Sequence, residues 1–230
     1  MAEQQIVAMG GGGTSAAVLA EVFALAGRDR ARLLYVGTAS AEDPRNALLM
    51  YEHARGKADV TPLKFFPWPP AGLRKLTLAQ DVIFVGGGST ANMLAIWRVH
   101  GFDRILREAW EQGIVLCGSS AGMICWFEAS VTDSFGPQLA AMNDGLGFLP
   151  GSACPHYDDE ELRRPFYRDA VDGGFPAGYA ADSGVGLHFV GTELAGVWTA
   201  REGATAYRLE PGSETPLEAQ LLVASADAAP

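Results

Sequence analysis

Short apolar runs alternate with longer amphipathic segments through the first half of the chain. The apolar runs predict strands at residues 6–9, 32–36, 59–66, 81–85 and 114–117. The segments between them predict helices at residues 14–26, 43–55, 73–79, 91–100 and 103–112, and a further helix that begins at about Ala121. Thr14 is the predicted N-cap of the first helix. This recurrence of strand, turn and helix is typical of a mostly parallel, doubly wound sheet with helices on both faces.

The second half of the chain follows a different pattern. Residues 129–175 are predicted to be rich in loops, with one helix near residues 160–171. Shorter strands are expected at residues 184–190, 193–199, 205–209 and 220–223, and the first three predict a small antiparallel part. The tail from about residue 211 is expected at the periphery of the fold. Because no repeat or linker divides the chain, residues 1–230 are predicted to form one α/β domain.

Composition and charge narrow the class of protein. The chain has 230 residues, of which 48% are hydrophobic, so it is long and apolar enough to bury a full core. Its net charge of −10 argues against a nucleic-acid partner, because binding phosphates requires a basic face. No apolar stretch reaches the roughly 18 residues of a membrane span, and the N-terminus lacks the basic start of a signal peptide.

The cysteines complete this picture. Three cysteines at wide, irregular spacing form neither a disulfide framework nor a zinc pattern, and free cysteines suit a reducing compartment. We therefore expect a cytoplasmic protein with no membrane partner, no metal and no cofactor.

The strongest chemical signal is Gly118-Ser119-Ser120-Ala121-Gly122. It matches G-x-S-x-G, and it lies between a predicted buried strand and a predicted helix, as a nucleophile elbow requires. The hydroxyl of Ser120 would then project above the sheet edge, and the N–H of Ala121 could donate to an oxyanion. The turn Gly86-Gly87-Gly88-Ser89-Thr90 lies on the same rim, so Gly88 is the candidate second donor. The alternative is a glycine-rich turn in which Ser120 only caps a helix.

A serine nucleophile needs a base, and His156 is the candidate. It follows Cys154-Pro155 in a predicted loop, and loops at a sheet rim commonly carry catalytic groups. His53 and His100 fall in predicted helices beside arginines, and His188 lies inside an apolar strand. Surface or packing roles therefore explain these three histidines.

A carboxylate is expected to orient the imidazole. Asp133, a short distance after the helix that begins at the serine, is the predicted third residue. The alternatives are Glu128, Asp158 and Asp182, each of which is also explained as a cap or a surface charge.

The glycine run at residues 10–13 invites comparison with a dinucleotide-binding turn. The third glycine of G-x-G-x-x-G would fall at Ser15, and no acidic residue ends the second predicted strand. The chain also lacks G-x-x-x-x-G-K-[ST], which excludes a P-loop. A nucleotide cofactor is therefore not expected.

Taken together, three segments resemble the peptidase E family of serine peptidases, which includes aspartyl dipeptidases and cyanophycinases. They are Phe84-Val-Gly-Gly-Gly-Ser-Thr90, Cys117-Gly-Ser-Ser-Ala-Gly122 and Cys154-Pro-His-Tyr157. Their order and separations agree with the family over roughly residues 5–210. The resemblance implies a fold similar to that of class I glutamine amidotransferases, with serine in place of cysteine. It also allows a homodimer.

The resemblance also implies roles for individual residues. Ser120 matches the nucleophile and His156 the base, Gly88 and Ala121 match the oxyanion donors, and Asp133 is the nearest match to the third residue. Glu161-Leu-Arg163 resembles the segment that carries the family's substrate-binding arginine, which gives Arg163 that role. Ser89 stands where aspartyl dipeptidases tend to have asparagine.

The predicted activity is hydrolysis of small peptides through an acyl-enzyme on Ser120, with a preference for N-terminal aspartate implied by the resemblance. Two alternatives stay open. One is a cyanophycinase-like β-aspartyl peptidase. The other is a catalytically silent, amidotransferase-like protein that only binds a ligand.

Overall fold

The structure is a computed structural model that describes residues 3–13 and 15–222. The strands are β1 (Gln5–Met9), β2 (Ala31–Val36), β3 (Ala58–Leu63), β4 (Val82–Val85), β5 (Val115–Ser119), β6 (Phe127–Thr132), β7 (Ala140–Met142), β8 (Leu149–Cys154), β9 (Gly178–Ala181), β10 (Val185–Val190), β11 (Glu193–Thr199), β12 (Ala206–Glu210), β13 (Ser213–Pro216) and β14 (Gln220–Leu221). The helices are α1 (Ala16–Leu25), α2 (Pro44–His53), α3 (Leu73–Leu78), α4 (Thr90–His100), α5 (Phe102–Glu111), α6 (Ala121–Ile124) and α7 (Arg163–Asp172), with a short 3-10 turn at Thr38–Ser40.

The first sheet has eight strands in the order β14-β11-β10-β1-β5-β4-β2-β3. Strands β1, β5, β4, β2 and β3 pair in parallel, while β10 joins β1 and β11 joins β10 in antiparallel register. The predicted parallel, doubly wound α/β fold is confirmed. In this order β1, β5 and β4 are neighbours, so the turns that follow them meet at one edge of the sheet.

Both faces of the first sheet are buried. Along β1, Ile6 and Ala8 belong to the core that includes α4, α5 and the second sheet, whereas Val7 and Met9 belong to the core beneath α1 and α2. All four residues are at most 3% exposed. Continuous apolar runs, rather than alternating ones, are what a sheet covered on both faces requires.

A second sheet corrects the prediction that residues 129–175 are mainly loops. It has six strands in the order β13-β12-β9-β8-β6-β7, with β6, β8 and β9 parallel. Strand β8 reads Leu-Pro-Gly-Ser-Ala-Cys, so it lacks the β-branched and aromatic residues that mark a strand in sequence. Helix α7 begins at Arg163, slightly later than expected.

Strands β10, β11 and β12 pair in antiparallel register as expected, but they divide between the two sheets, and β14 pairs in parallel with β11. Strands β10 and β11 extend the first sheet, whereas β12 and β13 extend the second. The tail contributes β13 to the second sheet and β14 to the first. Val223, the last residue of the predicted strand, lies outside the described residues.

Thr14, the predicted cap of α1, also lies outside the described residues. Ser15 caps α1 by accepting the Val18 N–H at 3.4 Å. Among the described helices, none is long and apolar enough to cross a membrane.

Phe127 packs the second sheet against the first. It is fully buried on β6, and its ring centroid lies 5.8 Å from that of Phe189 on β10 and 6.3 Å from that of Tyr179 on β9. This aromatic group fixes the separation of the two sheets.

We expect Phe127→Ala to lower the free energy of unfolding by about 3–5 kcal/mol, because it removes a large buried side chain and leaves a cavity. Phe135, which is 66% exposed, provides the control, and Phe135→Ala should change stability by no more than about 0.5 kcal/mol. Urea denaturation of both variants tests this. Equal losses would show that Phe127 has no special role between the sheets.

Candidate active site

Ser120 lies on a sharp turn between β5 and α6. Its φ of 58° and ψ of −111° place it outside the conformations that non-glycine residues usually adopt. The Ser120 N–H donates to the Met9 carbonyl at 3.0 Å, which fixes the turn against the end of β1. This is the strand, turn and helix that the G-x-S-x-G motif predicts.

The glycines of the motif are required because α6 packs directly on β4. A Cβ at Gly122 would overlap the Val85 carbonyl, and one at Gly118 would lie 2.5 Å from the Gly122 carbonyl oxygen. No side chain fits between these backbones. This close approach of α6 to β4 places Ser120, which directly precedes α6, at the edge of the sheet.

His156 faces Ser120 from the second sheet. It follows β8, and its N–H donates to the Gly10 carbonyl at 2.7 Å. Its Nε2 lies 3.0 Å from the Ser120 Oγ, and its side chain is 17% exposed. Like Ser120 it has a positive φ, here 53°. A hydrogen-bonded hydroxyl and imidazole in this geometry can act as a nucleophile and its base.

The glycine run at residues 10–13 lies against this imidazole. A Cβ at Gly11 would overlap the ring of His156, and one at Gly10 would overlap the Asp182 carbonyl. The run therefore packs against the candidate base and does not form a dinucleotide motif. Four consecutive glycines directly after a strand indicate that another part of the chain packs closely against them.

The Nδ1 side of His156 meets residues that the sequence reasoning did not choose. Its Nδ1 lies 3.3 Å from the Ser183 Oγ, 3.4 Å from an Asp159 carboxylate oxygen and 3.9 Å from one of Glu160. The Ser183 hydroxyl in turn donates to Asp159 at 2.6 Å. Asp159 is detectable in sequence as the third residue after the histidine, but Ser183 reaches the site only through the fold.

Asp133 occupies a different position. Its carboxylate lies 3.8 Å from the Arg163 guanidinium, and no hydrogen bond or ion pair joins it to His156 in the described part of the chain. The structure therefore brings Asp133 to the rim of the site but not to the imidazole.

The three alternative carboxylates are also engaged elsewhere. Glu128 accepts the Gly151 N–H at 2.9 Å, and Asp182 accepts the Thr205 N–H at 3.0 Å. Burial raises the pKa of the Asp182 carboxyl. Burial also opposes ionisation of Asp158, but hydrogen bonds from the Ser183 N–H and from Arg201 outweigh it, so the pKa of Asp158 is lowered.

Two backbone N–H groups beside Ser120 are the predicted oxyanion donors. Neither Gly88 nor Ala121 donates a hydrogen bond to another residue within the described ranges. Gly88 has a φ of 133°, and a Cβ there would overlap the Ala39 carbonyl. A Cβ at Gly87 would lie 3.2 Å from the Ser120 Cβ, so the glycine turn packs closely against the serine. The structure thus brings Ser120, His156, Gly88 and Ala121 together.

Two cavities open on either side of the Ser120–His156 pair. The larger has a volume of about 600 Å³ and the smaller about 340 Å³, and both residues line both cavities. Arg163 lines the smaller one, but it is only 3% exposed and already pairs with Glu160. The predicted substrate-binding arginine therefore lies at the site with its charge partly neutralised.

The thiol of Cys117, the cysteine nearest to Ser120 along the chain, is not activated as a nucleophile. Cys117 is fully buried in β5, and burial raises the pKa of its thiol, so it stays protonated at neutral pH. Burial likewise raises the pKa of Cys154 to about 12. Within residues 3–13 and 15–222, no group of three or more His, Cys, Asp or Glu side chains is placed to hold a metal ion.

Comparison with known proteins gives consistent relatives. The model of peptidase family S51 matches residues 3–197. The chain is 44% identical over 214 residues to peptidase YgaJ of Bacillus subtilis (strain 168), a protein named as uncharacterized, and the match covers 90% of this chain and 92% of that one.

Two solved structures share the fold. A protein of Listeria monocytogenes EGD-e assigned as peptidase E superposes with a TM-score of 0.66 at 15% identity, over 91% of this chain and 100% of that one. A peptidase from an acI-B1 Actinobacterium gives a TM-score of 0.68 at 16% identity, over 96% of each chain. At these identities the likeness concerns the fold, which agrees with the amidotransferase-like architecture predicted above.

Gly11→Ala should disrupt the Ser120–His156 hydrogen bond, because the added methyl group occupies the space of the imidazole. We expect the rate at which a fluorophosphonate labels Ser120 to fall about 100-fold, the lower range for loss of a general base. Gly13→Ala is the matched control: its φ of 90° is also unfavourable for alanine, but its Cβ would meet no described atom within 4 Å. Equal losses in the two variants would attribute the effect to backbone strain.

Proposed function

The chain belongs to peptidase family S51, the peptidase E family of serine-type peptidases, and on this basis we propose that it hydrolyses short peptides through an acyl-enzyme on Ser120. The observation that carries the proposal is the 3.0 Å separation of the Ser120 Oγ and the His156 Nε2. The N–H groups of Gly88 and Ala121, which have no acceptor among the described residues, support the same chemistry.

The proposed reaction begins when His156 Nε2 takes the proton of Ser120 and the Oγ attacks the scissile carbonyl carbon. The carbonyl oxygen becomes negatively charged and accepts hydrogen bonds from the N–H groups of Gly88 and Ala121. His156 then gives its proton to the leaving amine, and the C–N bond breaks to leave an ester on Ser120. Water, deprotonated by His156, attacks the ester and releases the acyl group.

We propose Asp159 as the group that orients His156, in place of Asp133. The Nδ1–H can donate to the Ser183 hydroxyl at 3.3 Å, and that hydroxyl donates to the Asp159 carboxylate at 2.6 Å. The nearer Asp159 oxygen lies 3.4 Å from Nδ1, close enough for charge attraction. Glu160 is farther from Nδ1, at 3.9 Å, and it is paired with Arg163. A negative charge at this position favours the imidazolium that forms during each proton transfer.

We place the N-terminal part of the substrate in the smaller cavity. Asp133 and Glu160 line it, and their carboxylates attract a substrate ammonium group. Arg163 is the one cation among the described residues of this lining. It would bind the side chain of an N-terminal aspartate only by sharing its existing contact with Glu160. Dipeptides that differ only in the N-terminal residue test this preference.

Hydrolysis of Asp-Leu, Ala-Leu and β-Asp-Arg by the wild type and by Ser120→Ala tests the proposed function. We expect cleavage of at least one peptide, and a loss in kcat of about 10⁴-fold or more in the variant, as for other serine triads. Ser130→Ala is the control, because Ser130 is a buried serine whose hydroxyl has no hydrogen-bond partner among the residues that the structure describes.

The pattern of cleavage identifies the substrate class. Cleavage of Asp-Leu alone would support an N-terminal aspartyl dipeptidase, and cleavage of β-Asp-Arg alone would support a β-aspartyl peptidase. Activity that survives Ser120→Ala would contradict the proposal. An absence of both cleavage and fluorophosphonate labelling would favour a protein that only binds a ligand.

Asp159→Asn and Asp133→Asn distinguish the two candidate orienting residues. We expect Asp159→Asn to lower kcat by about 100-fold or more with little change in KM, because the amide no longer stabilises the imidazolium. Asp133→Asn should mainly raise KM, since it removes one charge from the smaller cavity. Steady-state kinetics of both variants provide the measurement, and the reverse pattern would restore Asp133 to the triad.

A further inference from the structure

The two cavities beside Ser120 differ in charge. The smaller contains the carboxylates of Asp133 and Glu160. Among the described residues that line the larger cavity, none carries a carboxylate, although the chain as a whole has a net charge of −10. Its basic side chains are Arg201 and His53, besides His156, which lines both cavities. One side of the nucleophile therefore favours a cation and the other favours an anion.

Arg201 is held in place at the larger cavity. Its Nε and Nη2 donate to the Ser183 carbonyl at 3.3 and 3.1 Å, and Nη2 also pairs with Asp158, which does not line the cavity. Its Nη1 has no partner in the described part of the chain, and the side chain is 53% exposed. The guanidinium is already held by Ser183 and Asp158, and it retains N–H donors for a substrate carboxylate. Binding therefore costs little further side-chain entropy.

Part of the wall of the larger cavity is apolar. It is formed by Tyr35 and Phe84, whose rings stack with centroids 6.2 Å apart, and by Leu49 and Met50 of α2. The volume of about 600 Å³ is in the range of sites that enclose small ligands. An apolar wall with one fixed cation suits an apolar amino-acid residue that carries a free carboxylate.

We propose that the larger cavity binds the leaving half of the substrate, which is an apolar residue or very short peptide with a free α-carboxylate, and that Arg201 binds this carboxylate. The inference rests on the proposed function, because a leaving half exists only if Ser120 takes up the other half. The enzyme then selects peptides whose C-terminus lies close to the scissile bond. Long chains and C-terminal amides lack the carboxylate at this position.

The test compares three dipeptides that share the N-terminal residue the wild type cleaves fastest. Their second positions are leucine, leucine amide and aspartate. We expect kcat/KM for the free leucine peptide to exceed that for the amide and for the aspartate peptide by about 10-fold or more, which is the size of one charge-assisted hydrogen bond.

Two variants with matched controls identify the residues responsible. Leu49→Glu places a carboxylate in the apolar wall and should lower kcat/KM for the free acid about 10-fold, with a smaller effect on the amide. Leu48→Glu, on the same helix and 62% exposed but outside the cavity lining, should leave both kcat/KM values unchanged.

Arg201→Gln should abolish the preference for the free acid over the amide. Arg30→Gln, which likewise loses an exposed pair with an aspartate, should keep it.

Calorimetry with Ser120→Ala separates this inference from the proposed function. Ala-Leu should bind this variant about 10-fold more tightly than Ala-Leu amide, whether or not the wild type cleaves either. Equal binding of acid and amide, or equal kcat/KM values that Leu49→Glu does not change, would overturn the inference even if Ser120-dependent hydrolysis is observed. Hydrolysis that survives Ser120→Ala, together with preferential binding of the acid, would overturn only the acyl-enzyme on Ser120.

Discussion

Backbone-to-backbone contact at the carboxyl edge of the first sheet is the constraint on which the site depends. The turns after β1, β4 and β5 meet there because these strands are neighbours, and they approach so closely that several positions have no room for a Cβ. Gly122 lies against Val85, Gly88 against Ala39, and Gly11 against the ring of His156. These positions require glycine because a Cβ would overlap neighbouring atoms, in addition to any need for a positive φ. Without it the serine and the histidine would be separated.

The serine and the histidine also belong to different sheets. Ser120 follows β5 of the first sheet, whereas His156 follows β8 of the second. Their 3.0 Å hydrogen bond therefore depends on how the sheets pack, and Phe127 with its aromatic neighbours sets that packing. The hydrogen bond from the His156 N–H to Gly10 connects the two sheets directly beside the site. The hydrophobic core and the chemistry are thus linked through a few contacts.

The sequence was most informative where the signal is local. A strand, a glycine-flanked serine and a helix within a few residues predict the nucleophile turn, and the doubly wound half follows from its apolar runs. The second sheet was missed because strands such as β8 are made of small residues that pair well only once neighbours are present. Ser183 was missed as a partner of His156 Nδ1 for a related reason, because it lies 27 residues away along the chain. Asp159 is only three residues from the histidine, but only the fold shows that Asp159 lies beside the imidazole while Asp133 lies beside Arg163.

The left-handed backbone at Ser120 and His156 has a consequence for how this protein changes over time. Each of these non-glycine residues has a positive φ, a conformation that typically costs about 1 kcal/mol or more. Glycine adopts a positive φ without this steric cost, so the strain at each position is tied to the presence of the side chain. Directed evolution toward heat resistance without an activity screen would therefore tolerate glycine at these positions, as at Ala41 and Glu42, the other described non-glycine residues with a positive φ. A relative that no longer hydrolyses peptides is therefore expected to accept glycine in place of the serine or the histidine.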